Sequence, residues 1–210
     1  MEKIDLKKKY KHLYLPTAKK VSVVEVPALK FIMVDGRIPA GIPPADSVDF
    51  QNALQALYGL SFTLKFMSKL REENPIDYTV MALEGLWWTE DGDFDLAPDK
   101  DWFFRAMMLQ PDHISPDMIQ EAAAQVAEKG ENPALAKVDF EEFQEGLSIQ
   151  IMHIGPYADE ERSLAKMKVF AQENGYRYRG RHHEIYIGDP RRAKPENLKT
   201  VLRQPVKEMD

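Results

Sequence analysis

A chain of 210 residues, 44% hydrophobic and 10% aromatic, carries enough apolar side chain to fold alone, as one large domain or two small fused ones. Its net charge of -6, with both signs mixed along the length, offers no basic field for nucleic acid, so DNA is not an expected partner. Zero cysteines exclude disulfides, thiolate metal sites and a cysteine nucleophile, and no run nears the roughly 18 consecutive apolar residues of a membrane helix, so a cytoplasmic address without membrane contact is expected.

Residues 1–19 read as a solvated N-terminal arm, with lysines from Lys7 to Lys20 set among Tyr10, Leu13, Tyr14 and Leu15. The β-branched stretches Val21 to Val26 and Lys30 to Asp35 predict two strands, broken by the Gly/Pro loop Gly36 to Pro44. Ser47 is a helix cap, and Phe50, Leu54, Leu57, Phe62, Phe66 and Leu70 recur near helical spacing until Asn74-Pro75 ends the pattern. Tyr78 to Thr89 and Trp102 to Gln110 predict an antiparallel hairpin with a turn at Glu90-Asp91-Gly92-Asp93. Ser115-Pro116 opens a second helix to Lys129, closed by Gly130, and residues 131–144 read as an acidic loop. The opening order then returns: a strand Leu147 to Ile154, the turn Gly155-Pro156-Tyr157, an acidic helix start at Asp159, a strand Tyr176 to Ile187 and a last strand near Lys199 to Arg203.

Both halves therefore run strand, Gly turn, helix, strand, turn, strand, which predicts an α+β fold: one domain over 20–206 made of two modules, about 20–130 and 145–206. Each module buries one sheet face under its helix and leaves the other bare. Two of them side by side around a pseudo-twofold axis give an antiparallel sheet with helices on one side and a central ligand cleft where the open faces meet.

Alternation puts His182, Glu184 and Tyr186 on one strand face and His183, Ile185 and Ile187 on the other. The isoleucine face is the natural core face, so Glu184 and Tyr186 look into the cleft. Trp87 and Trp88 point to opposite faces, so one of them contacts a ligand, while Trp102 and Phe104 on the hairpin add aromatic area. A mid-strand glutamate is costly to bury without a partner, which marks Glu184 as functional. His182-His183-Glu184 lacks the spacing of a helical zinc site, and adjacent strand residues diverge, so no metal is expected. Gly36 to Gly41 lacks the Gly-Lys-Ser/Thr of a phosphate loop, and neither Ser148 nor His153 sits in a nucleophile elbow. No cofactor is expected.

Three motifs, Leu83-Glu84-Gly85-Leu86-Trp87-Trp88, His153-Ile154-Gly155-Pro156-Tyr157 and His183-Glu184-Ile185-Tyr186-Ile187 with Asp189-Pro190, resemble the GyrI-like small-molecule-binding family over roughly residues 20–205. The resemblance implies paired modules that bind bulky aromatic or cationic compounds over a glutamate, which falls on Glu184. The double tryptophan resembles a stand-alone subgroup of hydrolases that open the cyclopropane of alkylating natural products. In that reading a flat ligand stacks among Trp87 or Trp88, Trp102, Tyr157 and Tyr186, Tyr157 donates to the developing oxyanion, and Glu184 holds or deprotonates the water. A hydrophobic small molecule is then the partner. Non-catalytic sequestration of a drug, effector sensing and inhibition of a macromolecule such as a topoisomerase are the competing roles.

Overall fold

The computed structural model describes residues 2–92, 99–190 and 192–209. In chain order the elements are β1 (Glu2–Ile4), α1 (Leu6–Lys9), α2 (Lys11–Tyr14), β2 (Ser22–Ile38), α3 (Val48–Leu70), β3 (Ile76–Tyr78), β4 (Leu83–Thr89), β5 (Trp102–Leu109), α4 (Pro116–Ala127), β6 (Asp139–Ile154), α5 (Glu161–Glu173), β7 (Tyr176–Tyr178), β8 (His182–Tyr186) and β9 (Lys199–Glu208). Local chemistry sets the helix starts. The Ser47 hydroxyl accepts from the Phe50 amide at 3.3 Å, and Ser115 caps α4 through the Met118 amide at the same distance.

Several boundaries differ from those expected. The first two predicted strands are one 17-residue strand, β2. The acidic stretch Asp139 to Gln144 is strand, not loop, because Phe140 and Phe143 alternate onto opposite faces while Glu141 and Glu142 stay exposed. The turn read at Glu90 to Asp93 runs into Asp93, outside the described residues.

The strand order is β6-β2-β5-β4-β8-β9-β7, and β6 pairs with β9 as well as with β2. The six longer strands thus close into a ring of pairings. Each half runs strand, helix, strand, strand: β2-α3-β4-β5, then β6-α5-β8-β9. Two antiparallel seams, β2 with β6 and β4 with β8, join them.

Alternation sorts the strand side chains onto two covered faces. On one, Ile32, Val34, Trp87, Phe104 and Ala106 pack beneath α3 and α4, and Ile149, Ile151 and Leu202 pack beneath α5. On the other, Phe31, Met33, Leu86, Met107, Ile185 and Val201 meet Leu6, Leu13 and Tyr14. The predicted solvated arm is therefore part of the core. A sheet face this apolar needs cover, and α1 and α2 supply it, with β1 anchored in parallel to β3. Among the described residues no helix is long and apolar enough to cross a membrane.

Polar groups buried on that second face form one network. Tyr14 donates to Glu84 at 2.6 Å, and His183 lies 3.0 Å from Glu84 and 3.1 Å from Glu145. Arg203 reaches Glu145 at 3.1 Å, Gln150 at 3.0 Å and the Leu13 carbonyl at 2.8 Å. Burial alone would push the Glu145 carboxyl up. The combined pull of His183 and Arg203 outweighs it and holds the group at about 2. A carboxyl depressed in the folded state stabilises at every pH above the ordinary carboxylate range and loses that contribution as pH falls toward about 2. Urea unfolding at stepped pH should show this acid limb, and Glu145→Gln should flatten it. Arg203→Met, which strands a buried carboxylate, should cost about 3–5 kcal/mol in the same assay.

Candidate functional site

The β4–β8 seam places Gly85 opposite Glu184 and Trp87 opposite His182, so all four lie on the face that carries α3 and α5. Glu184 is 7% exposed. The Tyr186 hydroxyl donates to its Oε2 at 2.7 Å and accepts from the Trp87 indole N–H at 3.0 Å. Gly85 is required here, since a Cβ would meet the Trp87 Nε1 at 2.7 Å. Within one strand, alternation thus stacks a carboxylate and its phenol donor on the same side, and the neighbouring strand supplies the indole that orients the phenol.

The far wall comes from the turn into α5. Tyr157 sets its ring edge-on to Tyr186, with centroids 5.8 Å apart, and is 37% exposed. Glu160, which precedes α5, is buried and near enough to Glu184 for the two carboxyls to act on one another. Two carboxyl groups in contact cannot both ionise cheaply. Burial first, and the Glu184 charge second, push the Glu160 carboxyl well above the carboxylate range, against the opposing pull of the Thr200 hydroxyl. Burial also raises the Tyr157 hydroxyl to about 12, helped by the charges of Glu160 and Glu184, and keeps it a proton donor. The site can therefore hold one charge and one exchangeable proton side by side under aromatic rings.

The structure brings together Glu184, Tyr186, Tyr157 and Trp87. Trp102 stands behind them, 6.1 Å from Trp87. Phe104 is fully buried between Trp87, Phe50 and Gly36, where it supports the Trp87 ring from below. Trp88 lies on the opposite face from Trp87, as alternation requires, where it stacks on Phe103 and lies 3.4 Å from the Arg181 guanidinium, so Trp87 is the one beside Glu184. The position of the cleft is a correction. Glu184 faces the helix side, between the layers under α3 and α5, because the opposite face is filled by α1 and α2. Glu160 went unrecognised in the sequence, where it reads as one more acid at a helix start. An apolar groove of about 510 Å³ between α3 and α4, lined by Tyr58, Phe62, Phe66, Leu70, Gln125 and Lys129, includes none of Glu184, Tyr186, Tyr157 and Trp87.

A carboxyl raised by folding favours the folded state below the ordinary carboxylate range and loses that contribution as pH climbs through its raised value. Wild-type protein should therefore lose stability from neutral to alkaline pH more steeply than Glu160→Gln, which keeps the shape and removes the acid. Thermal unfolding across that range checks it.

The family model of the GyrI-like small molecule binding domain matches residues 19–207. No curated protein sequence matches the chain. Among solved structures, an uncharacterized conserved protein from Listeria innocua aligns with a TM-score of 0.86 at 36% identity, over 97% of this chain and 100% of its own. A hydrolase from the same organism aligns at 0.82 and 34%, with the same coverage. The C-terminal domain of EcmrR, at 0.53 and 12% over 90% of this chain and 98% of its own, shares the fold alone. A duplicated strand-helix-strand-strand ring with a buried glutamate at its seam, matched by that model over nearly the whole chain, makes this protein a member of the GyrI-like small molecule binding domain family.

Proposed function

We propose that the cleft over Glu184 binds a bulky aromatic small molecule and hydrolyses an electrophilic one, with strained cyclopropanes as the substrate class. The observation that carries this reading is the hydrogen-bonded chain of Glu184, Tyr186 and Trp87, with the Tyr157 ring set against it and a second buried carboxyl, Glu160, raised by the Glu184 charge. Such a pair supplies a base and an acid in one water-poor space. The Listeria relative that is a hydrolase, at 34% identity over nearly the whole chain, supports the same reading.

In the proposed reaction the Glu184 carboxylate takes a proton from water as the water oxygen bonds to a ring carbon. The breaking carbon–carbon pair moves into the conjugated carbonyl. Its oxygen receives a proton from Glu160 or Tyr157, so the net change is the addition of one water. The aromatic faces of Trp87 and Tyr186 stabilise positive character at the attacked carbon, by about 0.5–2 kcal/mol per ring. Tyr157, at the rim, is the group that must swing aside to admit a flat ligand, and Gly155, with φ of +136°, gives the turn before it a backbone freedom few side chains allow.

Incubation with a panel of hydrophobic electrophiles, including cyclopropane-fused ones, should yield products heavier by one water in mass spectra. Glu184→Gln should slow this by about 100- to 10,000-fold. Recovery of every compound unchanged would reject hydrolysis and leave a binding or effector-sensing role. That role has its own assay: titration with a planar polycyclic dye should quench tryptophan fluorescence in wild type and far less in Trp87→Phe.

A further inference from the structure

His153 lies on β6, is 1% exposed, and touches two parts of the chain that follow it. Its Nε2 is 3.1 Å from the Pro156 carbonyl and its Nδ1 is 3.0 Å from the Ser163 hydroxyl. The carbonyl only accepts, so Nε2 carries the hydrogen and Nδ1 accepts from Ser163. Burial first, with the Arg162 charge also opposing protonation, keeps the ring in this neutral form. Between those two contacts lie Tyr157 and Glu160, the two groups that the turn into α5 contributes to the cleft.

Other contacts of this turn lie mainly at its start. The Gly155 amide donates to the Leu198 carbonyl at 3.0 Å, and Arg162 donates to the Ile154 carbonyl at 2.8 Å. Both hold the start of the turn, near β6. The stretch from Pro156 to Ser163 is bridged by the imidazole from its first residue to its last, alongside its own helical bonds and the Tyr157 ring contact with Tyr186. A side chain at Gly155 would sit 3.0 Å from the Arg162 guanidinium and 3.4 Å from His153 Nε2, so the backbone is closed down onto the ring.

We propose that His153 is the positioning residue of the cleft: its bridge from Pro156 to Ser163 fixes the turn that presses Glu160 against Glu184 and sets Tyr157 over Tyr186. The inference rests on the proposed role of that carboxyl pair. Its test reads the pair without any ligand, so it stands or falls separately from the hydrolysis. With glutamate carboxyl carbons labelled, nuclear magnetic resonance follows the titration of Glu160. In His153→Leu the bridge is gone, the two carboxyls separate, and Glu160 should titrate nearer the ordinary carboxylate range. His153→Gln, whose amide can still donate to the Pro156 carbonyl, should restore much of the wild-type titration. Ser163→Ala removes one contact only and should give a smaller shift of the same sign, which provides the reading if His153→Leu does not fold. Affinity for the planar dye should fall about tenfold in His153→Leu, in keeping with the sensitivity of a site to small misplacements. A Glu160 titration unchanged in whichever of His153→Leu and Ser163→Ala is folded would overturn the proposal.

Discussion

Among the described residues, Glu84, Glu184 and His183 are buried on the β4–β8 seam itself, and the other buried ionisable groups gather around it, so the seam dictates how they are satisfied. Consecutive residues of a strand face opposite ways, so Glu84 and Gly85 on one strand meet Ile185 and Glu184 on the other with their polar groups on opposite sides of a single backbone layer. Below lies the closed network of Tyr14, Glu84, His183, Glu145 and Arg203, in which opposite charges and donors answer each other. Above lie Glu160 and Glu184, with the His182 imidazole 3.5 Å from Glu184, and burial together with the Glu184 charge raises the Glu160 carboxyl. The lower group is knit by an arginine, whereas the upper one sets two buried carboxyls beside a single imidazole, and a strongly perturbed acid of that kind is what a ligand site can use.

That contrast explains how one fold separates rigidity from reactivity. Arg203 ties β9, β6 and the N-terminal segment together through three partners, so the floor of the cleft is held from underneath. The groups above it come from the less constrained side, the short turn into α5. Such a division would suit the proposed role of the site, a fixed carboxylate beneath a rim that can adjust to a small molecule.

Much of this was readable from residue order. The Ser47 cap and the Asn74-Pro75 stop bracket the longest helix, and the alternation from His182 to Ile187 puts Glu184 and Tyr186 on a common face, as the coordinates have it. The faces themselves were not readable, because both are apolar enough to be covered and alternation does not say by what. The N-terminal segment illustrates the difficulty: its lysines announce a solvated arm, yet Leu6, Leu13 and Tyr14, spread over two short helices, form no periodic stripe and are buried all the same. Glu160 was hidden for a related reason. An acid at a helix start is ordinary, and only the fold brings it to a strand glutamate that lies well beyond it in the chain.

The circuit of six strands has a consequence for assembly. A sheet that ends in unsatisfied amides and carbonyls invites another chain to add a strand, the usual route to edge-to-edge aggregates and to peptide capture. Here β6 is bonded on both flanks, and the short β7, which pairs with β9, lies at the end of the strand order. Among the described residues the six-strand ring therefore leaves no edge of its own open to strand addition, and the free edges are confined to the short β7 and to the two-stranded β1–β3 pair.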